Sequence, residues 1–99
     1  MTDTQNTTAP ASLVPEIRPE VWADLEQRYR KLEDTVRRYN PSANFQQIRA
    51  AFEFAAKAHG AQNRKDGSPF ITHPLAVAQI VAEELHLDTE SIVAALLHD

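Results

Sequence analysis

Six apolar residues recur at intervals of 3, 4, 3, 4 and 3 along one stretch: Trp22, Leu25, Tyr29, Leu32, Val36 and Tyr39. That rhythm follows one face of a 3.6-residue helix and predicts about five turns. Pro19 suits the first helical position, where its missing N–H costs nothing. Arg28, Arg30, Lys31, Glu33, Asp34, Arg37 and Arg38 make the opposite, polar face. The stripe covers under three heptads and holds three aromatics, so docking on its own domain is expected before a coiled-coil seam. Asn40-Pro41 ends the helix, because the residue before proline is pushed out of the helical region.

Three more helices follow on the same logic. Ser42 or Asn44 can cap the second, and Phe45, Ile48, Phe52 and Ala55 share one face. Ala51 and Ala56 flank that face and allow close packing. Phe54 and Ala50 lie off it, which predicts neighbours on two sides. Gly60 is the expected stop. His59, in the last turn, reads as a structural residue whose cation would favour the helix dipole. Pro74 is expected to open the third helix with His73 at its cap. Leu75, Val77, Ala78, Val81, Ala82 and Leu85 are its predicted buried side, and His86 a surface residue near its end. Asp88 caps the fourth helix, expected to run from Thr89 to Asp99. Ala94 to Leu97 demand a partner surface, and no Gly, Asn or Pro stops that helix. The pattern therefore predicts a chain cut from a larger protein. Residues 1–15, mostly Thr, Asn, Gln, Ala and Pro, are expected to be a disordered tail. Residues 16–40 form the first helical unit and 41–99 the start of a domain.

Composition narrows the function classes. A chain of 99 residues allows one small domain and buries only roughly 60–65% of its unfolded surface. There is no cysteine, hence no disulfide framework and no thiolate metal site. A net charge of -4 argues against a broad nucleic-acid surface, so this segment is not expected to bind nucleic acid directly. No run approaches the ~20 apolar residues that span a membrane, and no secretory signal is visible. The expectation is a cytoplasmic protein without membrane contact. All ten Lys and Arg lie at or before Lys65. After Gly67 only acids remain: Glu83, Glu84, Asp88, Glu90 and Asp99.

The residues that can carry chemistry sit late in the chain. His73 lies at the start of the third helix, and His98 and Asp99 at the end of the fourth. Two imidazoles and a carboxylate suit a divalent first-row metal. Adjacent helical residues diverge by about 100°, so His98 and Asp99 share one ion only near a helix edge. The alanine-rich setting predicts a buried His98, whose nitrogens would then need partners. Between the second and third helices lies one long polar segment, Ala61 to Thr72, with a turn signal at Asp66-Gly67. Its cations, Arg64 and Lys65, are either solvated or binding residues held between packed helices.

Taken together, these residues resemble a known family. Ala58-His59-x-x-Gln62-x-Arg64-x-x-Gly67-x-Pro69-Phe70-Ile71-x-His73-Pro74, followed by Ala94-Ala95-Leu96-Leu97-His98-Asp99, is similar to the start of the hydrolase domain of RelA/SpoT homologues. These are bifunctional enzymes that make and degrade (p)ppGpp in the stringent response. The resemblance runs from about Phe45 to Asp99, with 25 positions from His73 to His98. It implies an all-α HD-domain helical bundle, truncated after about four helices. It implies His73, His98 and Asp99 as metal ligands, Mn²⁺ as the metal, and (p)ppGpp as the guanine-nucleotide partner. Arg64 would pack on the guanine base, with Lys65 beside it. The implied activity is metal-dependent hydrolysis of the 3′-pyrophosphate, and ribosome association is a further expectation for the parent protein. Ala61 stands where the family often has Gly, and Asp66 where it often has Ser. A distal Asp ligand, the acids that assist the attacking water and the synthetase domain would lie beyond residue 99, so the segment alone is expected to be inactive. Two other readings compete: an HD-type phosphohydrolase acting on another nucleotide, and a non-catalytic helical module that dimerises through the Trp22–Tyr39 stripe.

Overall fold

The computed structural model describes residues 16–98; the expected tail at 1–15 and Asp99 lie outside the described residues. Four helices follow one another: α1 (Pro19–Tyr39), α2 (Phe45–His59), α3 (Thr72–Leu85) and α4 (Thr89–Leu97). Among the described residues, extended pairing is limited to one isolated antiparallel bridge between Asn63 and Pro69. The all-α expectation holds.

α1 forms where the 3-4 stripe predicts it. Leu25, Tyr29, Leu32 and Val36 are buried, with Trp22 and Tyr39 half-buried at the two ends. The helix has no side-chain cap at Arg18; Pro19 and an acidic first turn at Glu20 take that place. Thr35 is also buried, which the apolar stripe did not anticipate. Its hydroxyl donates to the Lys31 carbonyl at 2.9 Å and accepts from Gln79 Nε2 at 2.9 Å. This polar link satisfies Thr35 and ties α1 to α3, the helix it packs against.

α2 packs on α4 and meets α1 through aromatic side chains. Phe52 is the centre of that contact. It stacks on Tyr29 at 4.8 Å and 20°, and meets Trp22 edge-on at 6.2 Å and 87°. Arg49 closes the edge of the cluster. It forms a two-pronged pair with Glu26 of α1, with Nη1 to Oε2 at 3.0 Å, and its Nε donates to Glu53 at 2.8 Å. The Arg49 hydrogen bonds hold the Glu26 carboxyl below its usual value, against the opposing effect of burial. Phe54, by contrast, is 68% exposed. α2 does meet two neighbours, α4 and α1, but Phe54 and Ala50, the residues that suggested them, are left exposed.

Of the two candidate caps for α2, Asn44 is the one used. Its Oδ1 accepts from Gln47 N at 3.0 Å, while Ser42 is exposed in the preceding turn. Asn44→Ala is expected to destabilise the domain by about 1 kcal/mol and Ser42→Ala by much less. Denaturant midpoints of the two variants check this, and equal losses would contradict it.

α3 starts two residues earlier than expected. Thr72 is its first residue, and its hydroxyl donates back to the Pro69 carbonyl at 2.6 Å. His73 is thus the second helical residue, not the cap. Pro74 is the third, where no intrahelical N–H is needed. Leu75, Ala78 and Ala82 are buried, but Leu85 is 63% exposed, because the chain leaves the helix there. His86 ends it in a left-handed conformation with φ of 51°, uncommon without glycine. Its ring stacks on Tyr39 at 4.7 Å, and the Tyr39 hydroxyl donates to the Leu87 carbonyl at 2.7 Å. These contacts define the strained turn.

α4 opens at Asp88, whose Oδ1 accepts from Ser91 N at 2.9 Å. Ile92 and Leu96 face the core. The helix stops at Leu97, and His98 is extended, with φ of -71° and ψ of 134°. The expected continuation of the helix through His98 and the expected burial of His98 are both corrected. The backbone is extended at His98, and the residue is exposed.

Candidate metal and nucleotide site

The loop between α2 and α3 is more ordered than its polar composition suggests. Gly60 ends α2 with φ of 55°, and its N–H donates to the Ala56 carbonyl. The chain then forms a short hairpin. Phe70 N donates to Gln62 O at 2.8 Å, Arg64 N to Ser68 O at 2.8 Å, and Gly67 N to Arg64 O at 2.9 Å. Gly67 sits at φ of 91°, the positive-φ position that three-residue hairpin loops reserve for glycine. A Cβ there would meet nothing within 4 Å, so the backbone angle alone demands glycine.

Asp66 completes the turn. Its Oδ1 accepts from Ser68 N at 2.9 Å and from Ser68 Oγ at 2.6 Å. Those two bonds hold its carboxyl below the usual range, with a smaller contribution from nearby Arg64. At the base of the hairpin, Phe70 stacks on His59 at 4.4 Å and 26°. His59 is therefore structural, as expected, although its partner is an aromatic ring and not the helix dipole alone. Sequence spacing did not reveal this pair, because the two rings lie on opposite sides of the loop.

Arg64 and Lys65 are exposed at the apex. With Asn63, Asp66 and Phe70 they line an open depression of about 440 Å³, within the usual size of small-molecule sites. The descending arm of the hairpin leads straight into α3, and His73 N donates to Phe70 O. His73 is half-buried at the start of α3, and His98 is exposed just past α4; α3 and α4 pack against each other. The structure thus unites Arg64 and Lys65 at one depression, with His73 in the first turn of α3 and His98 just past the end of the neighbouring α4. Among the described residues, no three His, Asp, Glu or Cys side chains are grouped closely enough to hold a metal. Asp99, the third expected ligand, lies outside those residues.

Comparison with known proteins follows the same segment. Residues 51–99 match the HD-domain family. The chain is 52% identical over 61 residues to a probable GTP pyrophosphokinase of Mycobacterium leprae, covering 62% of this chain and 8% of that protein. It is 52% identical over 59 residues to the bifunctional (p)ppGpp synthase/hydrolase RelA of Mycobacterium tuberculosis, covering 60% and 8%. Over 71 residues it is 44% identical to the bifunctional (p)ppGpp synthase/hydrolase SpoT of Escherichia coli K12, covering 72% and 10%. The chain thus spans about a tenth or less of the length of these relatives. No solved structure matches it. The HD-domain match, the four-helix architecture and the relatives at 44–52% identity agree: the chain carries the beginning of an HD domain and is similar, over 60–72% of its length, to RelA/SpoT homologues.

Proposed function

We propose that this chain is part of a metal-dependent guanosine-3′,5′-bis(diphosphate) 3′-pyrophosphohydrolase, within a bifunctional (p)ppGpp synthetase/hydrolase of the cytoplasm. The observation that carries the reading is the continuity of the fold at the site. One hairpin presents Arg64 and Lys65 at an open depression, and its descending arm becomes the helix that carries His73. Relatives named for (p)ppGpp synthesis and hydrolysis match across this segment.

The donor chemistry fits a divalent cation. His73 and His98 offer imidazole nitrogen and Asp99 a carboxylate, a mixed set suited to a divalent first-row metal; Mn²⁺ is the ion that the family resemblance implies. Bound by these residues, such an ion would lower the pKa of a water and polarise a phosphoryl oxygen. The chain's own residues supply the rest. Arg64 offers a planar guanidinium that can lie on a purine face, and Lys65 a point charge for phosphate. α3 packs on α4, which supports a site formed where the start of α3 and the chain after α4 meet. No helix among the described residues is long and apolar enough to cross a membrane, which accords with the cytoplasmic reading.

The test is pyrophosphate release from ppGpp by the full-length protein with Mn²⁺ and after chelation. Activity that vanishes on chelation and returns with Mn²⁺ is expected. Turnover of a different nucleotide, with ppGpp inert, would overturn the substrate assignment. The 99 residues alone are expected to show no turnover, and robust hydrolysis by them would contradict the ligand set.

A further inference from the structure

We propose that Asp66 is a positioning residue: its bonds to Ser68 fix the turn that carries Arg64 and Lys65 in the shape that receives the nucleotide. This inference rests on the hydrolase reading above.

The apex of the hairpin has nothing apolar to hold it. Residues Asn63 to Gly67 are all exposed, and the nearest packed side chain is Phe70, at the base against His59. The shape of an exposed turn must then come from hydrogen bonds. Two are backbone bonds, Arg64 N to Ser68 O and Gly67 N to Arg64 O. Two more end on a single atom, Asp66 Oδ1, which accepts from both the N–H and the hydroxyl of Ser68. One side chain therefore supplies as many closing bonds as the backbone does. An acidic side chain of this kind competes with the backbone for local donors and sets turn geometry.

The charge of Asp66 makes the same point. A carboxylate beside two cations at a phosphate-binding apex repels the ligand it borders. Direct contact with a polyphosphate is the wrong task for it. Its Oδ1 is turned instead to Ser68, where both donors engage it. Asp66 thus acts through Arg64 and Lys65, which follow from the turn it closes.

Kinetics of ppGpp hydrolysis by three forms of the full-length protein test this. In Asp66→Ala the turn loses both bonds, and KM is expected to rise about tenfold with kcat within about twofold. In Asp66→Asn the amide oxygen accepts the same two bonds without the charge, and KM is expected to stay within about threefold of the unaltered protein. Amide hydrogen exchange at Arg64 and Gly67 is expected to quicken in the alanine variant and not in the asparagine variant. An unchanged KM in Asp66→Ala would overturn the proposal. So would an asparagine variant as impaired as the alanine one, which would assign the effect to charge. A KM lowered in both would show that Asp66 only repels substrate. Failure of the unaltered protein to hydrolyse ppGpp would instead sink the hydrolase reading, and the nucleotide role of Asp66 with it.

Discussion

Phe52→Ala is expected to remove about 3–5 kcal/mol of stability, the usual cost of deleting a buried phenyl ring. Phe52 has no exposed surface, and it alone touches both aromatic partners on α1: Tyr29 face-on and Trp22 edge-on. The cavity would open between two helices whose contact is made by these rings. A domain of this size has only about 5–15 kcal/mol in hand, so a large share of its folding free energy rests on one side chain. Phe54, two residues on and 68% exposed, gives the contrast. Phe54→Ala is expected to stay within about 0.5 kcal/mol of the parent. Urea unfolding followed by helical circular dichroism separates the two. Equal midpoints for both variants would show that the aromatic cluster does not hold α1 on α2.

The second large effect concerns catalysis. His98→Ala in the full-length protein is expected to lower the kcat of ppGpp hydrolysis by at least about a hundredfold. On the proposed ligand set, removing His98 would loosen the hold on an ion whose charge stabilisation is worth several kcal/mol, and each 1.4 kcal/mol is a factor of ten. The melting midpoint, measured beside the activity, is expected to fall far less than the activity does. The pairing of a large activity loss with a small change in melting midpoint separates a ligand from a packing residue. A variant that keeps most of its Mn²⁺-dependent activity would remove His98 from the ligand set.

Much of this architecture could be read from residue spacing. The 3-4 stripe of α1 placed Leu25, Tyr29, Leu32 and Val36 in the core, because a long single-faced helix has one way to bury its apolar side. Gly60 and Asp88 marked their helix ends for reasons of backbone chemistry that do not depend on context. Where spacing failed, tertiary context had decided. Phe54 and Leu85 are apolar yet open, since the helices that could cover them would have to come from elsewhere in space. Thr35 is buried because Gln79 reaches it across 44 positions, which no local pattern shows. At the site, the pairing of Arg64 with Lys65 was legible and its scaffold was not. The Asp66–Ser68 bonds and the His59–Phe70 stack are three-dimensional facts. His98 was expected in the core because α4 is so apolar, and it is exposed just past Leu97.

The corner at Tyr39 bears on how the chain acquires its shape during synthesis. The end of α1 is pinned to Leu87 across 48 positions, and the start of α2 to Thr89 across 45. Both ties join the first half of the chain to the turn between α3 and α4. As a nascent polypeptide leaves the ribosome at roughly 5–20 residues per second, α1 and α2 are made several seconds before that turn exists. In that interval Tyr39 and Asn44 have no distant partner, and the apolar stripe of α1 awaits α3. These two ties can close only after residue 89 has been made, whereas the contacts of Phe52 with Tyr29 and Trp22 need only α1 and α2. A pause in translation before residue 87 would prolong the period in which the Leu25–Val36 stripe lies open to chaperones and to neighbouring chains.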